Sequence, residues 1–102
     1  MDDIFHKLSV SAEDLAAFCR RHSIRRLAFF GSVLRDNFGP DSDVDVLYEF
    51  EAGRNPGWHM SLVVDELSAL LGRPVDFIPL KGLRNPFTRH EIMGTCRYVY
   101  AA

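Results

Sequence analysis

Residues 29–50 read Phe29-Phe30-Gly31-Ser32-Val33-Leu34-Arg35-Asp36-Asn37-Phe38-Gly39-Pro40-Asp41-Ser42-Asp43-Val44-Asp45-Val46-Leu47-Tyr48-Glu49-Phe50. The stretch opens at the end of a short apolar run, Leu27 to Phe30, which suits a strand over 24–30 covered on both faces and halted at Gly31-Ser32. Gly39-Pro40 follows so soon that the segment 33–38 has room for only about two helical turns. A second strand is expected over 43–50. There Val44, Val46, Tyr48 and Phe50 alternate with Asp43, Asp45 and Glu49, so one face is apolar and the other mostly acidic.

Upstream, Ser11 and Asp14 form a capping pair, and Leu15, Phe18, Cys19 and His22 then fall on one stripe, which predicts a first helix over 11–22. Downstream, Asn55-Pro56 opens a long helix carrying Met60, Val63, Val64, Leu67, Leu70 and Leu71 on one face, and Gly72 closes it. Val75 to Ile78 is a third strand holding a single acid, Asp76, with Pro79 at its end. Pro86, Phe87, Ile92 and Met93 suit a last short helix ahead of Arg97-Tyr98-Val99-Tyr100. The expected fold is α/β of the α+β type: a three-stranded mixed sheet with helices mainly on one face. The long helix is able to cross between parallel second and third strands, while the short one returns the second strand antiparallel to the first.

The chain has 102 residues, 47% apolar and 25% charged, with a formal charge of −2, which fits one domain over 1–102 and excludes an extended disordered tail. No apolar run approaches the roughly 20 residues of a membrane span. The start, Met1-Asp2-Asp3, lacks the basic and apolar regions of a secretory signal, so a cytoplasmic location is expected. Cys19 and Cys96 lie far apart without metal spacing and are read as reduced thiols. Near-neutral charge argues against a general nucleic-acid binder.

The chemistry concentrates in Gly31-Ser32, Asp43-Val44-Asp45 and Asp76. Two acids two apart on a strand project from one face and repel each other. A divalent cation compensates them, and carboxylate oxygens favour Mg²⁺ over zinc. Asp76 arrives on the neighbouring parallel strand, so three acids are expected to converge. The plainer alternative, a solvated edge for Asp43 and Asp45 and a turn role for Asp76, fits the framing apolar alternation poorly. Gly31 lets a bulky group approach the backbone, the amides that follow can bind an anion, and the Ser32 hydroxyl adds a donor. Arg35, three residues on, shares the helical side of Ser32 and can reach a phosphate or an acid of the site. Phosphate binders beside metal-binding acids describe a site for a nucleoside triphosphate with Mg²⁺, suited to nucleotidyl transfer. In that chemistry one metal holds the triphosphate, and a second, on all three acids, acidifies the acceptor hydroxyl, with Asp76 as general base.

This constellation resembles the minimal nucleotidyltransferases of the DNA polymerase β-like superfamily, whose motif runs Gly-Ser, usually an Arg soon after, Ser-Asp-x-Asp, and a third Asp on a later strand. The likeness covers nearly the whole chain, through residues 29–35, 41–47 and 73–78, Asn85-Pro86, Glu91-Ile92 and Tyr100. It implies a nucleotidyltransferase fold and transfer of AMP from ATP. Gly31, Ser32, Arg35 and Ser42 would bind nucleotide, and Asp43, Asp45 and Asp76 would be catalytic and bind metal, with two Mg²⁺ when ATP is present. Asp36 departs from the pattern, since members often have Gly after the Arg.

No segment beyond this core is available in the 102 residues to hold an acceptor. Stand-alone members of the family commonly pair with a small helical HEPN RNase toxin and act as antitoxin by adenylylating a tyrosine near its active site, and the resemblance implies that partner here. The alternatives are a non-catalytic antitoxin that neutralises by docking, and a small-molecule nucleotidyltransferase with its acceptor pocket at a subunit interface. Arg20-Arg21 and Arg25-Arg26 are read as solvated, and His6, His22 and His90 as no metal site. Trp58 and His59 border the cleft, pack in the core or meet a partner. Tyr98 and Tyr100 pack on the sheet or form a docking surface.

Overall fold

Ser11 accepts a hydrogen bond from the Asp14 backbone N–H at 3.0 Å and starts helix α2, Ala12–Arg21, where the capping pair predicts it. The computed structural model describes residues 3–34, 39, 42–83 and 85–102. A short helix α1, Asp3–Lys7, precedes α2 and was not expected. Strand β1, Ile24–Phe30, matches the predicted bounds, and β2 is Val44–Phe50. Between them Gly31–Leu34 forms a 3₁₀ turn, and the rest of the predicted short helix, 35–38, lies outside the described residues. A 3₁₀ turn at Gly57–His59 leads into α3, Met60–Leu71, which Gly72 ends in the left-handed conformation at φ 68°, its N–H donating to the Ser68 carbonyl. Strand β3, Val75–Pro79, helix α4, Pro86–Thr95, and strand β4, Arg97–Ala101, complete the chain.

The sheet order is β3-β2-β1-β4, with β2 and β3 parallel and β1 antiparallel to both β2 and β4. It is mixed, as expected, but has four strands rather than three. The tail from Arg97 to Ala101 makes the difference: it is rich in β-formers, Tyr98, Val99 and Tyr100, and a register shift opposite Leu27/Ala28 lets it pair along β1.

Leu15, Phe18 and Cys19 of α2 and Val63, Leu67 and Leu71 of α3 bury against Leu27, Phe29, Val44 and Val46 on one sheet face. Ile4 of α1 joins them, so three of the four α-helices lie on that side. The other face is not simply acidic. Ala28, Phe30, Leu47 and Leu80 form a second buried cluster that Ile92 and Met93 of α4 cover, so Leu47 interrupts the acidic face of β2. Across the helices, Glu66 of α3 accepts from Arg21 Nε at 3.1 Å and lies 3.0 Å from His22 Nε2, tying α2 to α3. The arginines read as solvated thus split: Arg21 pairs with Glu66, while Arg25 and Arg26 flank Glu49, the nearer at 3.4 Å.

Candidate active site

The β2/β3 register sets Val44 opposite Val75, Asp45 opposite Asp76 and Val46 opposite Phe77, and the Val44 N–H donates to the Pro74 carbonyl at 3.0 Å where the ladder begins. Neighbours paired across a ladder share a face. Since Val44 and Val46 belong to the core, Asp45 and Asp76 stand together on the opposite face, at the end of the sheet where the two parallel strands start. Asp45 is half-buried and Asp76 exposed. Asp43 sits one residue ahead of β2 and is exposed. Among the described residues, no three His, Cys, Asp or Glu side chains are gathered closely enough to hold a metal ion. The acids expected to converge are therefore present as a register pair, Asp45 and Asp76, with Asp43 flanking it.

Gly31 follows β1, whose last residue, Phe30, pairs with Asp45. It adopts φ +76°, and a Cβ built on it would overlap the Asp45 carboxylate oxygen Oδ2. Only glycine provides both the backbone conformation and the space. The donor chemistry fits Mg²⁺: hard carboxylate oxygens share one face, and the bare Cα of Gly31 brings backbone against one of them. Ser32 lies in the 3₁₀ turn that follows, partly exposed. Arg35 lies outside the described residues. Ser42 Oγ accepts from the Gly39 N–H at 3.0 Å and retains its own proton to donate, so the serine holds the loop in front of Asp43.

Two supports of this end of the sheet escaped the sequence reading. Arg73 Nη1 donates to the Gly39 carbonyl at 2.5 Å, while the Arg73 carbonyl accepts from Ser68 Oγ at 2.6 Å, so the loop before β2 is tied to the turn before β3. Lys7 Nζ donates to the Val33 carbonyl at 3.2 Å, bracing the 3₁₀ turn from α1. Neither has a motif signal, because each acts on a carbonyl 26 or more residues away.

A cleft of about 400 Å³ opens beside Gly31, lined by Gly31, Leu34, Glu91, Thr95 and Arg97. Its size lies in the range of small-molecule sites. A second hollow, about 150 Å³, lies toward the far end of β2 between Tyr48, Phe50, Pro79 and Lys81. It is too small for a nucleotide and lies away from the carboxylates. Trp58 is 98% exposed, which removes it from the core, whereas Tyr100 packs against the main core and Tyr98 is exposed. Cys19 and Cys96 are free thiols, and burial pushes Cys19 up to about 12.

The sequence profile of the nucleotidyltransferase domain matches residues 13–99. Two proteins of Methanocaldococcus jannaschii, each provisionally named a protein adenylyltransferase, are 30% identical to this chain over 80 residues, 78% of its length and 80% of theirs. A solved structure provisionally described as a minimal nucleotidyltransferase is 33% identical and superposes with a TM-score of 0.72 over 94% of both chains. A crystal structure of a toxin-antitoxin with AMP-PNP, 13% identical, shares the fold at a TM-score of 0.69, covering 91% of this chain and 75% of that one. Among the described residues no helix is long and apolar enough to cross a membrane.

Proposed function

Because this chain belongs to the nucleotidyltransferase domain family and is a nucleotidyltransferase, we propose that it transfers AMP from ATP to a protein hydroxyl, a tyrosine of a partner HEPN RNase toxin, and so acts as a cytoplasmic antitoxin. The observation that carries this reading is the Asp45 carboxylate lying against the bare Cα of Gly31, with Asp76 in register beside it and a nucleotide-sized cleft adjoining. The provisional names of the curated relatives and the fold shared with a toxin-antitoxin crystallised with AMP-PNP support the choice of acceptor and partner.

In this reaction the acceptor oxygen bonds to the α-phosphorus while the bond from that phosphorus to the bridging oxygen of the β-phosphate breaks. Pyrophosphate leaves, and the hydroxyl proton passes to Asp76. The Asp45 and Asp76 pair, joined by the flanking Asp43, would hold Mg²⁺, which would supply neutralisation of phosphate charge and acidify the hydroxyl. Gly31 lets the nucleotide lie against backbone, Ser32 donates to it, and Arg35 and Ser42 complete its contacts.

Intact mass of a co-purified HEPN partner, before and after incubation with ATP and Mg²⁺, tests the proposal. One or more added AMP units on the partner are expected, lost in Asp45→Asn. If the partner is neutralised with its mass unchanged, the chain works by docking and the transfer reading fails.

A further inference from the structure

Register pairing sets Asp76 on β3 beside Asp45 on β2 and Asp45 beside Phe30 on β1, while Arg97 on β4 pairs with the preceding residue, Phe29, one step out of that row at the same end of the sheet. Gly31 follows Phe30 at the same end. Strands lie about 4.7–4.9 Å apart, so Arg97 stands on a strand roughly 10 Å from that of Asp45, with Gly31 between. What joins Arg97 to this end of the sheet is the cleft it shares with Gly31, the residue that meets the Asp45 carboxylate. Among the described residues lining that cleft Arg97 is the sole cation.

We propose that Arg97 binds the β- and γ-phosphates of the nucleotide, the part that departs as pyrophosphate, an assignment that rests on the nucleotidyl-transfer reading above. With the α-phosphorus at the acids, the remaining phosphates extend into the cleft beside Gly31 and reach Arg97 on β4. A guanidinium suits them, because its planar fork binds two phosphate oxygens at once and stays charged at any working pH. Thr95, one helical turn from Glu91 on α4, donates its hydroxyl to the Glu91 carbonyl at 2.9 Å and shapes the same wall. The Glu91 side chain is exposed and is the cleft's single acid among these residues, so it opposes a polyphosphate rather than binding it.

Calorimetric titration of the full chain with ATP and, separately, with AMP in the presence of Mg²⁺ tests the assignment, since AMP lacks the two phosphates concerned. Arg97→Gln should weaken ATP binding by about 10- to 100-fold, the scale of a charge-assisted pair, and leave AMP binding unchanged. Arg97→Lys should recover part of the loss, and Glu91→Gln should bind ATP as tightly as the parent or more so. Melting curves check that each variant keeps its fold. Equal weakening of ATP and AMP by Arg97→Gln, no effect on either, or loss of ATP binding in Glu91→Gln would overturn the assignment. If Arg97→Gln selectively loses ATP while the parent transfers AMP to no hydroxyl, Arg97 holds and the transfer reading falls instead.

Discussion

The carboxylate of Asp45 occupies the space that a side chain on Gly31 would need. Two residues 14 apart in sequence are thus fixed against each other by an antiparallel pair whose last rung joins Phe30 to Asp45. Gly31→Ala meets two penalties, a left-handed backbone that costs about 1–2 kcal/mol for a residue with a Cβ, and displacement of Asp45. The fold should survive with a lower Tm, while nucleotidyl transfer drops by about 100-fold or more, the effect of shifting a reacting group by an ångström. Melting and transfer rates measured together check this, and an alanine variant with full activity would show that Asp45 is not held for catalysis.

Arg73 carries the next expectation. It is the only described side chain seen to donate to the Gly39 carbonyl, and that loop leads directly to Asp43. Arg73→Ala should cost about 1 kcal/mol in stability, the worth of a typical hydrogen bond. The larger effect should fall on affinity for ATP with Mg²⁺, with faster amide exchange at residues 42–44. Ser68→Ala, which leaves the guanidinium in place, is the control. Equal loss of affinity in both variants would mean that the turn before β3, rather than the Gly39 loop, governs the site.

The acids and the glycine were legible because strand alternation and turn chemistry are local. Val44 and Val46 point to a core whatever covers them, which forces Asp45 to the other side, and Gly72 marks the end of α3 by backbone preference alone. What stayed hidden depends on distant pairing. Arg97-Tyr98-Val99-Tyr100 has strand composition but no turn that names its partner, so β4 and the fourth place in the sheet were missed, and with them the nearness of Arg97 to Gly31. The face of β2 read as mostly acidic carries Leu47 in a second buried cluster, which the local pattern does not announce because α4, which covers it, arrives more than 35 residues later. Asp43 lay within the predicted strand but stands just before it, so the acidic cluster is a pair and a flanking residue.

Glu66 gives a pH prediction. Hydrogen bonding from Arg21, chiefly, and then His22 holds its carboxyl below the ordinary value of 4.5. A carboxyl with a depressed folded pKa adds stability that is fully present above its unfolded value and is lost as pH falls through the folded one. The parent should therefore be more stable than Glu66→Gln at pH 7, and the difference should begin to fade near 4.5 and vanish in stronger acid. The side chain is 37% exposed, so solvent screening keeps the gain within about 1 kcal/mol, a few degrees in Tm for a domain of this size. A gap in Tm that persists unchanged at low pH would place the effect in packing instead.

Asp76 separates chemistry from folding. It is exposed, faces Asp45 in register, and closes no hydrophobic contact, whereas its neighbours Val75 and Phe77 pack against the main core. Removing one of two facing carboxylates relieves repulsion, so Asp76→Asn should melt at the same temperature as the parent or slightly above it. Its transfer rate should fall by about 100- to 10,000-fold if Asp76 takes the proton of the acceptor hydroxyl, because an asparagine cannot accept it. Binding of AMP, which needs no such proton transfer, should change far less. Single-turnover rates against ATP affinity divide the two effects. A variant that binds nucleotide and still transfers at the parental rate would leave Asp76 without a part in the chemistry.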